Sequence, residues 1–127
     1  MIYGIGTDIV NIERIQTIIL KNRDGFIKRV LTEHEQALFA NKADSAAFLA
    51  KRFAAKEAFS KALGTGISKG ISFKDISIHN NKKGKPDIKL LGKTKKIVQT
   101  ILKKNYKIFL TISDEQKYAL AMVVITY

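Results

Sequence analysis

Two acids stand where the surrounding pattern is apolar. Asp8 lies in IYGIGTDIV, residues 2–10, and Glu57 lies in SAAFLAKRFAAKEAFSKAL, residues 45–63. Two desolvated carboxylates brought together favour a divalent cation, because like charges otherwise raise a carboxyl pKa. A small set of oxygen ligands suits Mg²⁺, which keeps waters and takes further ligands from phosphates. The same acids also fit ordinary ion pairs, Asp8 with a lysine and Glu57 with Lys61 one helical turn on. Arg52, Lys56 and Lys61 share the segment with Glu57, and Gly64–Thr65–Gly66 follows directly. Basic side chains beside glycine amides can cradle a phosphate. Equally, Gly64 can serve as a helix C-cap while the lysines are solvated. No G-x-x-x-x-G-K-[ST] run is present, so a P-loop is excluded. His34 and His79 have no metal or triad spacing and read as isolated surface residues. Ser113 has no base near it in sequence and reads as a strand-end residue.

The elements that must position these residues follow from periodicity. Residues 2–10 read as a buried strand in which Gly4 and Gly6 share a face with Asp8, leaving room for another backbone or a ligand. Asn11 is an N-cap for a helix over 12–22 with Ile12, Ile15 and Ile19 on one face and Arg14 off that stripe. A short helix over 24–31 follows. The capping box Thr32-x-x-Glu35 opens another over 33–41. The segment 46–63, capped by Ser45 and stopped by Gly64, is apolar nearly all round and therefore central and buried. Its charges then need partners. FKDISIHN reads as a strand, NNKKGKP as a turn, DIKLL as a short strand and GKTKKIVQTILKKN as an amphipathic helix. YKIFLTIS–DEQK–YALAMVVITY reads as a hairpin. The class is α+β in a single domain over 1–127, with an N-terminal strand and helices, a long buried central helix and an antiparallel β-sheet.

Composition narrows the function classes. An apolar content of 46% is not that of a disordered chain, and the absence of Cys rules out disulfides and thiolate chemistry. No run is long enough to span a membrane, and Asp8 interrupts the apolar N-terminus, so neither a membrane protein nor a signal peptide is expected and the location is cytoplasmic. The net charge is +12, from 23 Lys+Arg against 11 Asp+Glu. Such a surface attracts nucleic acid, phosphorylated cofactors or an acidic protein. Only four of the cations are Arg, so compositional drift toward Lys accounts for the excess equally well. A nucleic-acid module would present aromatics on a strand surface. Here the aromatics fall within apolar strands and the long helix, where core packing explains them.

G-I-G-T-D-I-V at 4–10, R-F-A-A-K-E-A at 52–58, K-A-L-G-T-G-I at 61–67, F-K-D-I at 73–76, G-K-P at 84–86 and T-I-S-D-E…Y-A-L-A at 111–121 stand in order along the chain. Together they resemble the holo-acyl-carrier-protein synthases, the short members of the phosphopantetheinyl transferases. The resemblance implies a 4′-phosphopantetheinyl transferase fold. It also implies Mg²⁺-dependent transfer of phosphopantetheine from coenzyme A to a serine of apo-acyl carrier protein, in fatty acid biosynthesis. Asp8 and Glu57 fall on the family's metal ligands, with Lys61 beside them in the catalytic set. The base is Glu57 or a metal-bound water. Arg52, Lys61 and Gly64, Thr65 and Gly66 match coenzyme A-binding positions, and Lys85 and Pro86 match a turn near the nucleotide. Arg14 falls on the face that docks the acidic carrier protein. Members resemble homotrimers with active sites between subunits. Asp114 departs from the His that many members carry there, so no role for that His transfers to this chain.

Overall fold

The computed structural model describes residues 1–103 and 105–127; the predicted helix ending at 105 thus includes one residue, Lys104, outside the described residues. Strand β1 (Ile2–Asn11) leads into helix α1 (Ile12–Val30). The Asn11 side chain accepts from Glu13 N and caps α1. The two helices expected over 12–31 are one element with a kink at Asn22, where φ is −154° and ψ is 68°. Asn22 is the residue that ends the first segment, and its Oδ1 accepts from Gly25 N, which restarts the second. Helix α2 (Glu33–Phe39) opens with the predicted capping box of Thr32 and Glu35. Helix α3 (Ser45–Leu63) is capped by Asp44 rather than Ser45: Asp44 Oδ1 accepts from Ala47 N, and Ser45 is the first helical residue. Gly64 closes α3 in the left-handed conformation at φ +89°, where a side chain would be strained.

A single 3₁₀ turn, Phe73–Asp75, replaces the start of the strand expected from FKDISIHN; β2 itself is Ile76–Asn80. Strand β3 (Pro86–Leu90), helix α4 (Gly92–Leu102) and the hairpin β4 (Lys107–Asp114) and β5 (Tyr118–Thr126) complete the chain. The antiparallel β region forms two sheets instead of one. The N-terminal strand closes onto the C-terminal hairpin in the order β1-β5-β4, and β2 pairs with β3.

Helix α3 is the core of the molecule, packed against β1 and β5 on one side and against α1, α2 and β2 on the other. Leu49, Ala54, Ala58 and Phe59 are all fully buried. Close approach to β1 depends on two glycines. A Cβ on Gly4 would sit 1.9 Å from Ala62 O, and one on Gly6 would sit 2.0 Å from Ala58 O. The room left by these glycines is therefore taken by helix backbone, and it sets Asp8 directly against α3.

The outer face of the three-stranded sheet is open and apolar. Ile5, Ile9, Phe109, Leu120 and Met122 are all exposed there, with Ile9 at 62%. Registers Ile5–Val124–Phe109 and Thr7–Met122–Thr111 run across it. Part of the expectation for the aromatics is corrected here. Phe26, Phe39, Phe48 and Phe59 are core, but Phe109 and Tyr118 face outward because strand alternation puts them opposite Leu110 and Ala119. Their neighbours are aliphatic, which makes this face hydrophobic.

Candidate active site

Asp8, Glu57 and Lys61 come together where β1 lies on α3. Asp8 Oδ1 accepts from Lys61 Nζ at 3.0 Å, and Nζ also donates to the Thr7 carbonyl at 3.1 Å. The pair is open to solvent at its lysine end, with side chains 17% exposed for Asp8 and 51% for Lys61. Burial raises the Glu57 pKa above the ordinary carboxylate range, the charge of Asp8 raises it further, and Lys61 pulls it back. Of the readings open from sequence, Asp8 thus pairs with a lysine, and that lysine is Lys61. A carboxylate whose ionisation a neighbouring carboxylate disfavours, as Asp8 does for Glu57, forms with it a donor set that a hard cation relieves. No group of three or more candidate ligand side chains occurs among the described residues, so any cation here would complete its shell from water and substrate oxygens.

The loop after α3 adjoins this cluster. The amides of Gly64, Thr65 and Gly66 all donate to Ser60 O, at 3.1–3.2 Å. They satisfy a helix-end carbonyl, so the amide part of the expected phosphate cradle is engaged in this conformation. A Cβ on Gly64 or Gly66 would meet nothing within 4 Å, so the loop surface itself is open.

Arg52 lies elsewhere. It is nine residues before Lys61, which at 100° per residue puts it about half a turn round the helix, on the opposite side of α3. There Glu35 is fully buried and holds four groups. Its Oε1 accepts from Thr32 N at 2.9 Å and from Lys56 Nζ at 2.5 Å, and its Oε2 accepts from Ile78 N at 3.0 Å. Arg52 Nε lies 3.4 Å from the same Oε2, close enough for an ion pair, but it is not aligned for a hydrogen bond and has no other partner. Lys56, also fully buried, donates further to Val30 O and Phe73 O. Burial lowers the pKa of Lys56, and Glu35 opposes the shift. The Arg52 guanidinium stacks 3.9 Å above the Phe48 ring. These contacts answer the demand that the charges on a buried helix find partners.

Arg52 lines a cleft of about 540 Å³ together with His34, Lys42, Lys51, His79 and Asp114, and Pro86 forms part of its rim. The histidines are not isolated, as their spacing implied: their rings stack at 4.0 Å, 14° from parallel. Asp114 faces inward, in the row with Ala119 and Val10. Lys85 lines a second, more apolar cleft of about 660 Å³ with Asp87, Phe109 and Met122, and Pro86 is common to both. Arg14 is exposed on the first turn of α1 and makes no ion pair among the described residues.

The structure therefore brings Asp8, Glu57, Lys61 and the Gly64–Gly66 loop together, and Arg52 and Pro86 together, but on opposite sides of α3. Glu35 and the two histidines escaped the sequence reading as site residues. For Glu35 a signal existed, since a lysine on an all-apolar helix demands a buried acid. For the histidines there was none.

Residues 4–123 match the model of the 4′-phosphopantetheinyl transferase superfamily. The chain is 56% identical over 126 residues to the holo-[acyl-carrier-protein] synthase of Ruthia magnifica, covering 98% of this chain and 97% of that one. It is similar over the full length of both chains to the crystal structure of the holo-[acyl-carrier-protein] synthase from Neisseria meningitidis, with a TM-score of 0.93 and 41% identity. It is also similar to the Helicobacter pylori synthase solved in complex with coenzyme A, with a TM-score of 0.82 and 35% identity over 96% of this chain and 99% of that one. With both kinds of comparison agreeing along nearly the whole length, the chain belongs to the 4′-phosphopantetheinyl transferase superfamily, among the holo-[acyl-carrier-protein] synthases.

Proposed function

We propose that this chain transfers 4′-phosphopantetheine from coenzyme A to a serine of apo-acyl carrier protein, with Mg²⁺, in fatty acid biosynthesis. The observation that carries the reading is the Asp8–Glu57–Lys61 cluster, fixed by backbone contact of Gly4 and Gly6 with α3, in a chain whose relatives are named for this reaction. The serine hydroxyl attacks the β-phosphorus of coenzyme A, the bond to the bridging oxygen breaks, and adenosine 3′,5′-bisphosphate leaves. When bound, Mg²⁺ neutralises pyrophosphate charge. Asp8 and Glu57 are the residues that would hold it, and the charge of Asp8 acting on Glu57 supports that fit. Lys61 brings a mobile ammonium to the same oxygens, within reach because its pairing with Asp8 is half-exposed. Glu57, whose pKa burial has raised, is the proton acceptor the chain itself supplies for the serine. Transfer of this kind rests on positioning and charge neutralisation.

Arg52, Lys61, Gly64, Thr65, Gly66, Lys85 and Pro86 bind coenzyme A in this reading. The pyrophosphate goes to the acid cluster. The remaining phosphate, the 3′-monoester, goes to the cationic cleft of Arg52. A helix about 10 Å across separates the two within one chain, so one cofactor would draw on two chains. The open apolar sheet face supplies a surface for such an assembly, and we assign the protein as a homotrimer with sites between subunits. Arg14, exposed and unpaired near the β1 end that carries Asp8, docks the acidic carrier protein. Apo-carrier protein incubated with this chain, coenzyme A and Mg²⁺ should gain the mass of one phosphopantetheine. No gain at any Mg²⁺ concentration would overturn the assignment.

A further inference from the structure

The cleft beside Arg52 holds a feature that the transfer reaction does not explain. Glu35 ties Thr32 N and Ile78 N to one carboxylate, and so fixes α2 against β2. Each element carries a histidine close to the tied amide, His34 two residues after Thr32 and His79 directly after Ile78, and their rings stack at 4.0 Å. Charged groups lie around the pair on several elements, Glu33 directly before His34 among them. Lys42, Lys51 and Arg52 line the cleft with it, opposed there by Asp114 alone. Lys89 and the buried Glu35 act on His79 from β3 and α2, and Asp87 is its cross-strand partner. The cleft lining is thus mostly cationic, three cations against Asp114, and two imidazolium rings at this separation repel each other. A second proton on the pair becomes favourable when a dianion joins it.

We propose that the stacked His34–His79 pair is a phosphomonoester contact of this cleft, taking up a proton as the phosphate binds and selecting ligands that carry a terminal phosphate. The inference rests on the assignment of the cleft to the 3′-phosphate of coenzyme A. Histidine is the side chain whose charge changes in the neutral range, and a phosphomonoester remains largely dianionic above its second pKa of about 6. Desolvation, then His34, Lys89 and Arg52, push His79 below its ordinary value, with Glu35 pulling the other way. The free pair is therefore poised to gain a proton. Arg52, which lines the cleft, and the two lysines hold the phosphate at all pH values in this range. The histidines add an increment that grows as pH falls.

The test is calorimetric binding of coenzyme A and of dephospho-coenzyme A, which lacks the 3′-phosphate, to the full chain. Titrations run at pH 8.0 and 6.5 in buffers of different ionisation heat. Wild type should prefer coenzyme A, and that preference should grow roughly three- to tenfold on going to pH 6.5, with net proton uptake, as linkage requires. His79→Phe, which keeps a ring for stacking, should retain a preference from Arg52 but lose its pH dependence and the proton uptake. His34→Gln provides the same comparison should the Phe variant fold poorly. A preference whose pH dependence and proton uptake survive in these variants overturns the role of the histidines while leaving the cleft assignment intact. Equal binding of both ligands by wild type overturns the cleft assignment itself.

Discussion

The two sides of α3 use the same kinds of residue for opposite ends. On the β1 side, Asp8 and Lys61 form an ion pair half open to water, beside a Glu57 whose ionisation is disfavoured. Such a pair contributes at most about 1 kcal/mol to stability. Its members can exchange partners, which is what the proposed binding of a cation and a pyrophosphate demands. On the other side, Glu35, Lys56 and Arg52 are nearly or fully buried, and the carboxylate and the ammonium have multiple hydrogen bonds. Glu35 and Lys56 cannot let go without leaving a partner stranded, whereas Arg52 also lines the cleft. Solvent access, more than residue type, separates a reactive ion pair from a structural one.

The sharpest break in that comparison comes from the acids on the β1 side. Asp8→Asn and Glu57→Gln should each lower transfer by more than about a hundredfold while the denaturation midpoint barely moves. A parallel loss of stability would put these acids in the structural class. Next, Glu35→Ala should destabilise the fold by about 3–5 kcal/mol, because it strands two buried cations. Urea unfolding measures this directly, and a loss below about 1 kcal/mol would mean that water reaches the site. Gly6→Ala should destabilise by about 1–3 kcal/mol, since its Cβ would overlap Ala58 O and push β1 off α3. It should also lower transfer by shifting Asp8, which distinguishes it from a purely structural lesion. The smallest effect belongs to Arg14→Glu. It should raise the carrier-protein KM several-fold in low salt and less in high salt, leaving the coenzyme A KM unchanged. Its stability should be equal or slightly greater, by about 0.3–1 kcal/mol, because an acid suits a helix N-terminus better than a cation does.

Local signals wrote most of the fold into the sequence. The Asn11 cap, the Thr32–Glu35 box, the all-round apolar α3 and its Gly64 stop each act within one or two turns. The acid pair was legible because each acid interrupts an apolar run. What the sequence concealed is long-range. Lys56 reaches Glu35 across 21 residues, and Ile78 N reaches it across 43. No periodicity encodes which acid a buried lysine will meet. The His34–His79 stack exists only because that clamp aligns α2 with β2. The splitting of Arg52 from Lys61 was legible in principle, since nine residues make half a turn. The proposed consequence, that one cofactor draws on two chains, follows only once α3 is seen to be buried between them.

That consequence is tested most directly by mixing two damaged chains. Asp8→Asn removes the acid side of α3, and Arg52→Gln removes the cationic side. Each alone should be nearly inactive, and each should remain folded. Co-refolded in equal amounts, they should add phosphopantetheine to carrier protein at about a quarter of the wild-type rate, because each site in a closed ring draws its two halves independently. A mixture of folded, assembled chains that stays as inactive as its components would show that each site lies within a single chain and contradict the account.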